Sequence, residues 1–201
     1  MLGIMGGTFN PIHYGHLLMC EGIREEFNLK KIIFIPAKIP PHKDNTKIIE
    51  AQDRLCMVDL AIADNPFFVS SDIEMKREGS SYTVDTLKAY QEHLKNEDSL
   101  ALIVGADSLI QFETWRDYGE IFKLAKIIVA SRPDTKEDIL DNFINRFKEK
   151  FDANILKFSG KAMDYSSTEI RRRVKKGLSI KYQVPPEVEN YIFKNRLYVS
   201  D

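Results

Sequence analysis

Six short apolar runs recur along this chain of 201 residues. They are Leu2 to Met5, Lys31 to Ile35, Phe67 to Val69, Leu100 to Val104, Ile127 to Ala130 and Ile155 to Phe158. None alternates with polar residues as a strand with one wet face would. Runs that are apolar throughout fit strands covered on both sides. Helix-like stretches lie between them, at Gly15 to Phe27, Glu50 to Ala63, Val84 to Leu94 and Glu137 to Phe151. In the second of these, Leu55, Val58, Leu60 and Ile62 make a broadly apolar side. Strand and helix in repeated order predict an α/β fold built on a doubly wound parallel sheet, with helices on both faces. Such sheets bind ligands beyond the carboxyl ends of their strands. Attention therefore falls on the loops Gly6 to Thr8, Pro36 to Lys43, Gly105 to Asp107 and Ser131 to Pro133.

Composition narrows the partners. Twenty-nine Lys and Arg against thirty Asp and Glu give a formal charge of -1. No global field attracts nucleic acid or a membrane surface, so an anionic ligand must be met by local groups. A 43% hydrophobic content argues for a folded chain. Cys20 and Cys56 are too few for a disulfide framework or a zinc cluster. No apolar run approaches the ~20 residues of a membrane helix, and Met1 leads into structure-like sequence without a signal-peptide pattern. The expectation is a cytoplasmic protein with one domain over residues 1–201 and a helical part from about 166–201. Oligomeric state, a homo-oligomer included, is not legible.

The loop after the first run reads GGTFNPIHYGH, from Gly6 to His16. Gly6 and Gly7 let the backbone pass close to a bulky anion. A helix starting near Gly15 aims its N–H groups and positive dipole end back at the loop. His13 and His16, three apart, share a side of its first turn. Together these form a cradle for a triphosphate. The dipole contributes only ~0.3–1 kcal/mol per anionic contact, so the histidines and other cations carry the larger share. HxxH spacing also suits a metal, but no third ligand is near in sequence.

Near the other end, Ser166, Ser167 and Thr168 precede a helical run to Lys176, closed by Gly177. Arg171 stands one turn after Thr168 and can reach an anion at that helix start with two donors. Arg172, Arg173, Lys175 and Lys176 fit a solvated face better. Pro185 and Pro186 open a last helix to Lys194.

GGTFNPIHYGH resembles the GxFxPxHxGH motif of the adenylyl- and cytidylyltransferases. It covers Gly6, Gly7, Thr8, Phe9, His13 and His16. In that superfamily the two histidines hold the phosphates of the nucleoside triphosphate and stabilise the transition state. Asn10 stands where Asp is usual; it keeps the shape and turn-forming ability without the charge. Ser166, Ser167, Thr168 and Arg171 match the ISSTxIR motif of the same transferases, with Tyr165 in place of Ile. Three middle segments, IPPHK at Ile39 to Lys43, SYTVDTL at Ser81 to Leu87 and GADSLIQFETW at Gly105 to Trp115, resemble the bacterial nicotinate-nucleotide adenylyltransferases.

That resemblance implies a Rossmann-like fold and transfer of the adenylyl group of ATP to nicotinate mononucleotide. The products are deamido-NAD and pyrophosphate. It implies that Lys43 meets the reacting phosphates, that Gly105 and Asp107 lie at the nucleotide, and that Thr83, Thr86, Trp115 and Arg132 lie near the mononucleotide. Residue type alone also allows Trp115 as core and Thr83 as a helix cap. Mg2+ is expected to arrive with ATP and keep several waters. A phosphopantetheine acceptor, the amidated mononucleotide, or a non-catalytic nucleotide sensor are the rival readings. The lack of an anticodon-binding domain speaks against a tRNA-charging enzyme.

Overall fold

The computed structural model describes residues 1–40, 48–94, 98–131, 137–160 and 165–199. Six strands form its centre: β1 (Leu2–Gly7), β2 (Lys31–Pro36), β3 (Phe68–Ser70), β4 (Leu100–Gly105), β5 (Ala125–Ala130) and β6 (Ile155–Phe158). They make one sheet in the order β3-β2-β1-β4-β5-β6, and every neighbouring pair is parallel. The chain winds outward from β1 to β3, then crosses back to β4 and winds the other way. The order therefore reverses between β1 and β4, and a crevice opens at their carboxyl ends.

The helices are α1 (Tyr14–Glu26), α2 (Ala51–Ile62), α3 (Thr83–Gln91), α4 (Ala106–Ile110), α5 (Tyr118–Leu124), α6 (Glu137–Phe151), α7 (Ser167–Lys175) and α8 (Pro186–Lys194). Two cores lie on the two faces of the sheet. Met5, Ile32, Phe34, Ala101, Ile103, Ile128 and Ala130 meet side chains of α1, α2, α7 and α8 on one face. Ile4, Ile33, Ile35, Leu102, Val104, Ile127 and Val129 meet α3, α4, α5 and α6 on the other. Adjacent residues of one strand thus enter different cores, which is why the runs do not alternate. The terminal helices α7 and α8 are built into the first core through Ile170, Val174, Val188 and Ile192.

Local chemistry sets several boundaries. Gly177 has φ +64°, and beyond α7 the Leu178 and Gly177 amides donate to the Arg173 and Val174 carbonyls. That is the two-bond left-handed closure that favours glycine. Pro186 starts α8, where its missing N–H costs nothing. Two expectations need correction. Helix α2 buries Arg54, Met57, Val58, Ala61 and Ile62, while Leu55 stays half-exposed. The stretch from Ala106 to Leu124, read only as a motif, holds α4, a 3-10 turn at Phe112–Thr114, and α5. Among the described residues, no helix is long and apolar enough to cross a membrane.

Candidate active site at the β1–β4 crevice

The loop leaving β1 is tightly shaped. Phe9 is 2% exposed and takes φ +48°. A Cβ on Gly7 would stand 2.9 Å from the Phe9 ring, so the turn requires glycine there. The Asn10–Pro11 peptide is cis. His13 is the N-cap of α1, in extended conformation at φ -151°, and His16 is its third helical residue. The His13 amide donates to His16 Nδ1 at 3.3 Å. With Nδ1 accepting, neutral His16 carries its proton on Nε2 as a donor. The two imidazoles stack at 3.7 Å between centroids, and Phe9 meets His16 edge-on at 5.2 Å. A Cβ on Gly15 would come within 3.0 Å of the His13 ring and 3.2 Å of Tyr165. The shared side expected for the two histidines is thus realised as a stacked pair.

Helix α7 brings the second set of residues to the same loop. Ser166 Oγ accepts from the Glu169 amide at 3.2 Å, so Ser166 is the cap. Ser167 Oγ donates to the Pro11 carbonyl at 2.9 Å, and Arg171 Nη1 donates to the Asn10 carbonyl at 2.8 Å. Arg171 also donates to Thr168 Oγ1 at 3.3 Å. Two helix N-termini, a histidine pair and an arginine therefore converge on one loop. Their donors and positive dipole ends suit a polyphosphate. Arg172 and Arg173 instead bind Glu169 and the Ser179 carbonyl, as a surface role requires.

Arg54, which sequence reasoning missed, holds this loop from beneath. It is 1% exposed and donates to the carbonyls of Thr8 at 2.8 Å, Ile49 at 3.1 Å and Lys38 at 3.2 Å. Burial draws its guanidinium below the usual value, though it stays charged near neutral pH.

A cavity of about 230 Å³ runs from the loop across the crevice. Gly6, Gly7 and Thr8 line it together with Thr83, Trp115 and Arg116. Trp115 is half-buried, with its ring 4.6 Å from core Phe112. It is therefore both core neighbour and cavity wall. Thr83 opens α3 as its first helical residue; the cap is Tyr82. Thr86 does not line the cavity. It is 2% exposed, donates to Glu74 Oε1 at 2.7 Å and accepts from Arg77. Glu74, another wall residue absent from the sequence reading, has its carboxyl pushed up by burial, against the pull of Thr86, Ser81 and Arg77. Arg116, also missed, lies 4.8 Å over the Tyr82 ring. Gly105 and Asp107 are exposed at the end of β4, outside the cavity lining. Lys43 and Arg132 fall outside the described residues. Among the described residues, no three or more His, Cys, Asp or Glu side chains gather as a metal site.

Comparison with known proteins accounts for this arrangement. The Cytidylyltransferase-like family model matches residues 4–173. A protein of Thermoanaerobacter sp. (strain X514), named "Probable nicotinate-nucleotide adenylyltransferase", is 42% identical over 200 residues, covering 100% of this chain and 95% of that one. The protein of the same name from Dictyoglomus thermophilum (strain ATCC 35947 / DSM 3960 / H-6-12) is 46% identical, covering 98% of this chain and 99% of the other. The solved structure of Plasmodium falciparum nicotinic acid mononucleotide adenylyltransferase complexed with NaAD shares the fold. Its TM-score is 0.78 at 21% identity, covering 98% of this chain and 96% of that one. From the histidine loop to the arginine helix, and over its full length in sequence, the chain belongs to the nicotinate-nucleotide adenylyltransferases of the cytidylyltransferase-like family.

Proposed function

We propose that this protein transfers the adenylyl group of ATP to nicotinate mononucleotide, releasing pyrophosphate and forming deamido-NAD. One observation carries the reading: Gly6, Gly7 and Thr8 belong both to the loop that meets α7 and to the cavity that Trp115 also lines. A triphosphate on the loop and a mononucleotide in the cavity then meet at the crevice. The indole of Trp115 suits an electron-poor pyridinium, worth ~0.5–2 kcal/mol by cation–π attraction. Arg116 beside it supports an acidic rather than an amidated ring substituent.

The attacking atom is an oxygen of the mononucleotide phosphate. Its second pKa is ~6, so it is largely ionised at neutral pH and needs no general base. A new bond forms to the α-phosphorus of ATP on one side. On the other the bond to the bridging oxygen breaks, and pyrophosphate leaves with the electron pair. The protein's task is positioning two polyanions in line and offsetting their charge. His13, His16 and Arg171 do this from the α1 and α7 ends. Lys43 and Arg132 add further cations in this reading. Gly105, Asp107, Ser166, Ser167 and Thr168 border the nucleotide, and Thr83 borders the mononucleotide. Mg2+ enters as part of the substrate MgATP, held by the phosphates and water. Cys20 and Cys56 are free thiols, which supports a reducing cytoplasmic setting.

Incubation with MgATP and each candidate acceptor, read by pyrophosphate release, tests the proposal. Release is expected with nicotinate mononucleotide and not with phosphopantetheine. Silence with nicotinate mononucleotide would overturn it. Trp115→Ala should weaken the mononucleotide by about tenfold, from the loss of its stacking face. Separate titrations should show ATP affinity changing far less.

A further inference from the structure

The last turn of the chain lies over the phosphate loop. After α8, the Leu197 amide donates to the Ile192 carbonyl at 3.0 Å, and Arg196 and Tyr198 take φ +52° and +64°. This turn brings the Tyr198 hydroxyl to Asn10, where it donates to Oδ1 at 2.9 Å. Asn10 is 5% exposed, so water offers its side chain little alternative. The main-chain carbonyl of the same Asn10 accepts from Arg171. We propose that Tyr198 is a positioning residue for the nucleotide: its hydroxyl fixes Asn10, and the Asn10 carbonyl in turn fixes the guanidinium of Arg171. Resting on the reading that a triphosphate occupies this loop, the proposal also explains Asn10. A neutral amide oxygen accepts from the phenol without setting a carboxylate beside Arg171, whose charge stays available to an anion. Burial raises the Tyr198 phenol above its usual range, so it remains a proton donor at working pH.

The test is calorimetric binding of a non-hydrolysable ATP analogue with Mg2+, which needs no acceptor. Tyr198→Phe should weaken binding about five- to tenfold, the effect of one lost, partly buried hydrogen bond. Asn10→Ala should weaken it at least as much. The double variant should lose no more than Asn10→Ala alone, because the phenol acts through Asn10. Tyr191→Phe is the control: it removes the 2.8 Å bond from Tyr191 to Asp53 on α2. It should lower the thermal midpoint and keep the affinity. If Tyr198→Phe behaves like Tyr191→Phe, or if the double variant shows additive losses, the proposal is overturned. It also falls if the unaltered protein does not bind the analogue. Failure of the acceptor assay with analogue binding intact would instead remove only the assignment of nicotinate mononucleotide.

Discussion

His16→Ala is expected to lower turnover at least about a hundredfold, the usual range for removing one preorganised donor from a transition state that gathers charge. The geometry gives His16 two tasks. Its Nδ1 accepts from the His13 amide, closing the capping box at the start of α1. On the proposed function, its other ring nitrogen, Nε2, is the one that donates to a phosphate oxygen. Alanine removes both, and loss of a cap alone costs about 1 kcal/mol of stability. His16→Asn separates the tasks, since Asn Oδ1 can accept where Nδ1 did. Both variants should keep a native far-ultraviolet dichroism spectrum, and both should be slow. A folded His16→Asn protein with near-normal turnover would remove the imidazole from the reaction and leave it as a cap.

Arg54→Met should be the most destabilising single change near the site. Methionine fills much of the volume, and removing a buried charge relieves its desolvation. The three carbonyls that Arg54 serves belong to the main chain, however, and no side-chain change removes them. Each unsatisfied acceptor costs about 1–3 kcal/mol, so the net loss should be about 3 kcal/mol. For a chain of this size that corresponds to a fall of about 6–12 °C in thermal midpoint. Arg54→Lys keeps the charge as a single point and cannot reach all three carbonyls, so it should recover only part. An unchanged midpoint for Arg54→Met would show that the 8–49 contacts do not depend on the guanidinium.

The strands were legible because each sends neighbouring side chains into two separate cores, which writes itself as an unbroken apolar run. Ile4 and Met5 enter different cores, as do Ile32 and Ile33. The histidine loop and the Ser166 to Arg171 turn were legible because each is contiguous in sequence. Helices α4 and α5 were not, since five and seven residues are too short to show a period of 3.6. Arg54 looked like any helical cation; its partners, Thr8 and Lys38, are remote in sequence. Thr86 carried a plausible motif position, but the buried Glu74 and Arg77 around it claim its hydroxyl. Tyr198 could not be linked to Asn10 by spacing, because 188 residues separate them. A tyrosine near the end of the last helix carries no local signal for that contact.

The closure of the first loop by residues 167, 171 and 198 has a consequence for synthesis. A nascent chain on the ribosome has all six strands by residue 158. It can begin layering its sheet well before residue 198 emerges, since domains tend to consolidate as they are made. The contact that closes the loop from above, by contrast, forms only after residue 198 has emerged. A product cut short after β6 would gather apolar surface yet lack the contacts of Ser167, Arg171 and Tyr198 to the loop, and on the proposed function it would hold a triphosphate less well.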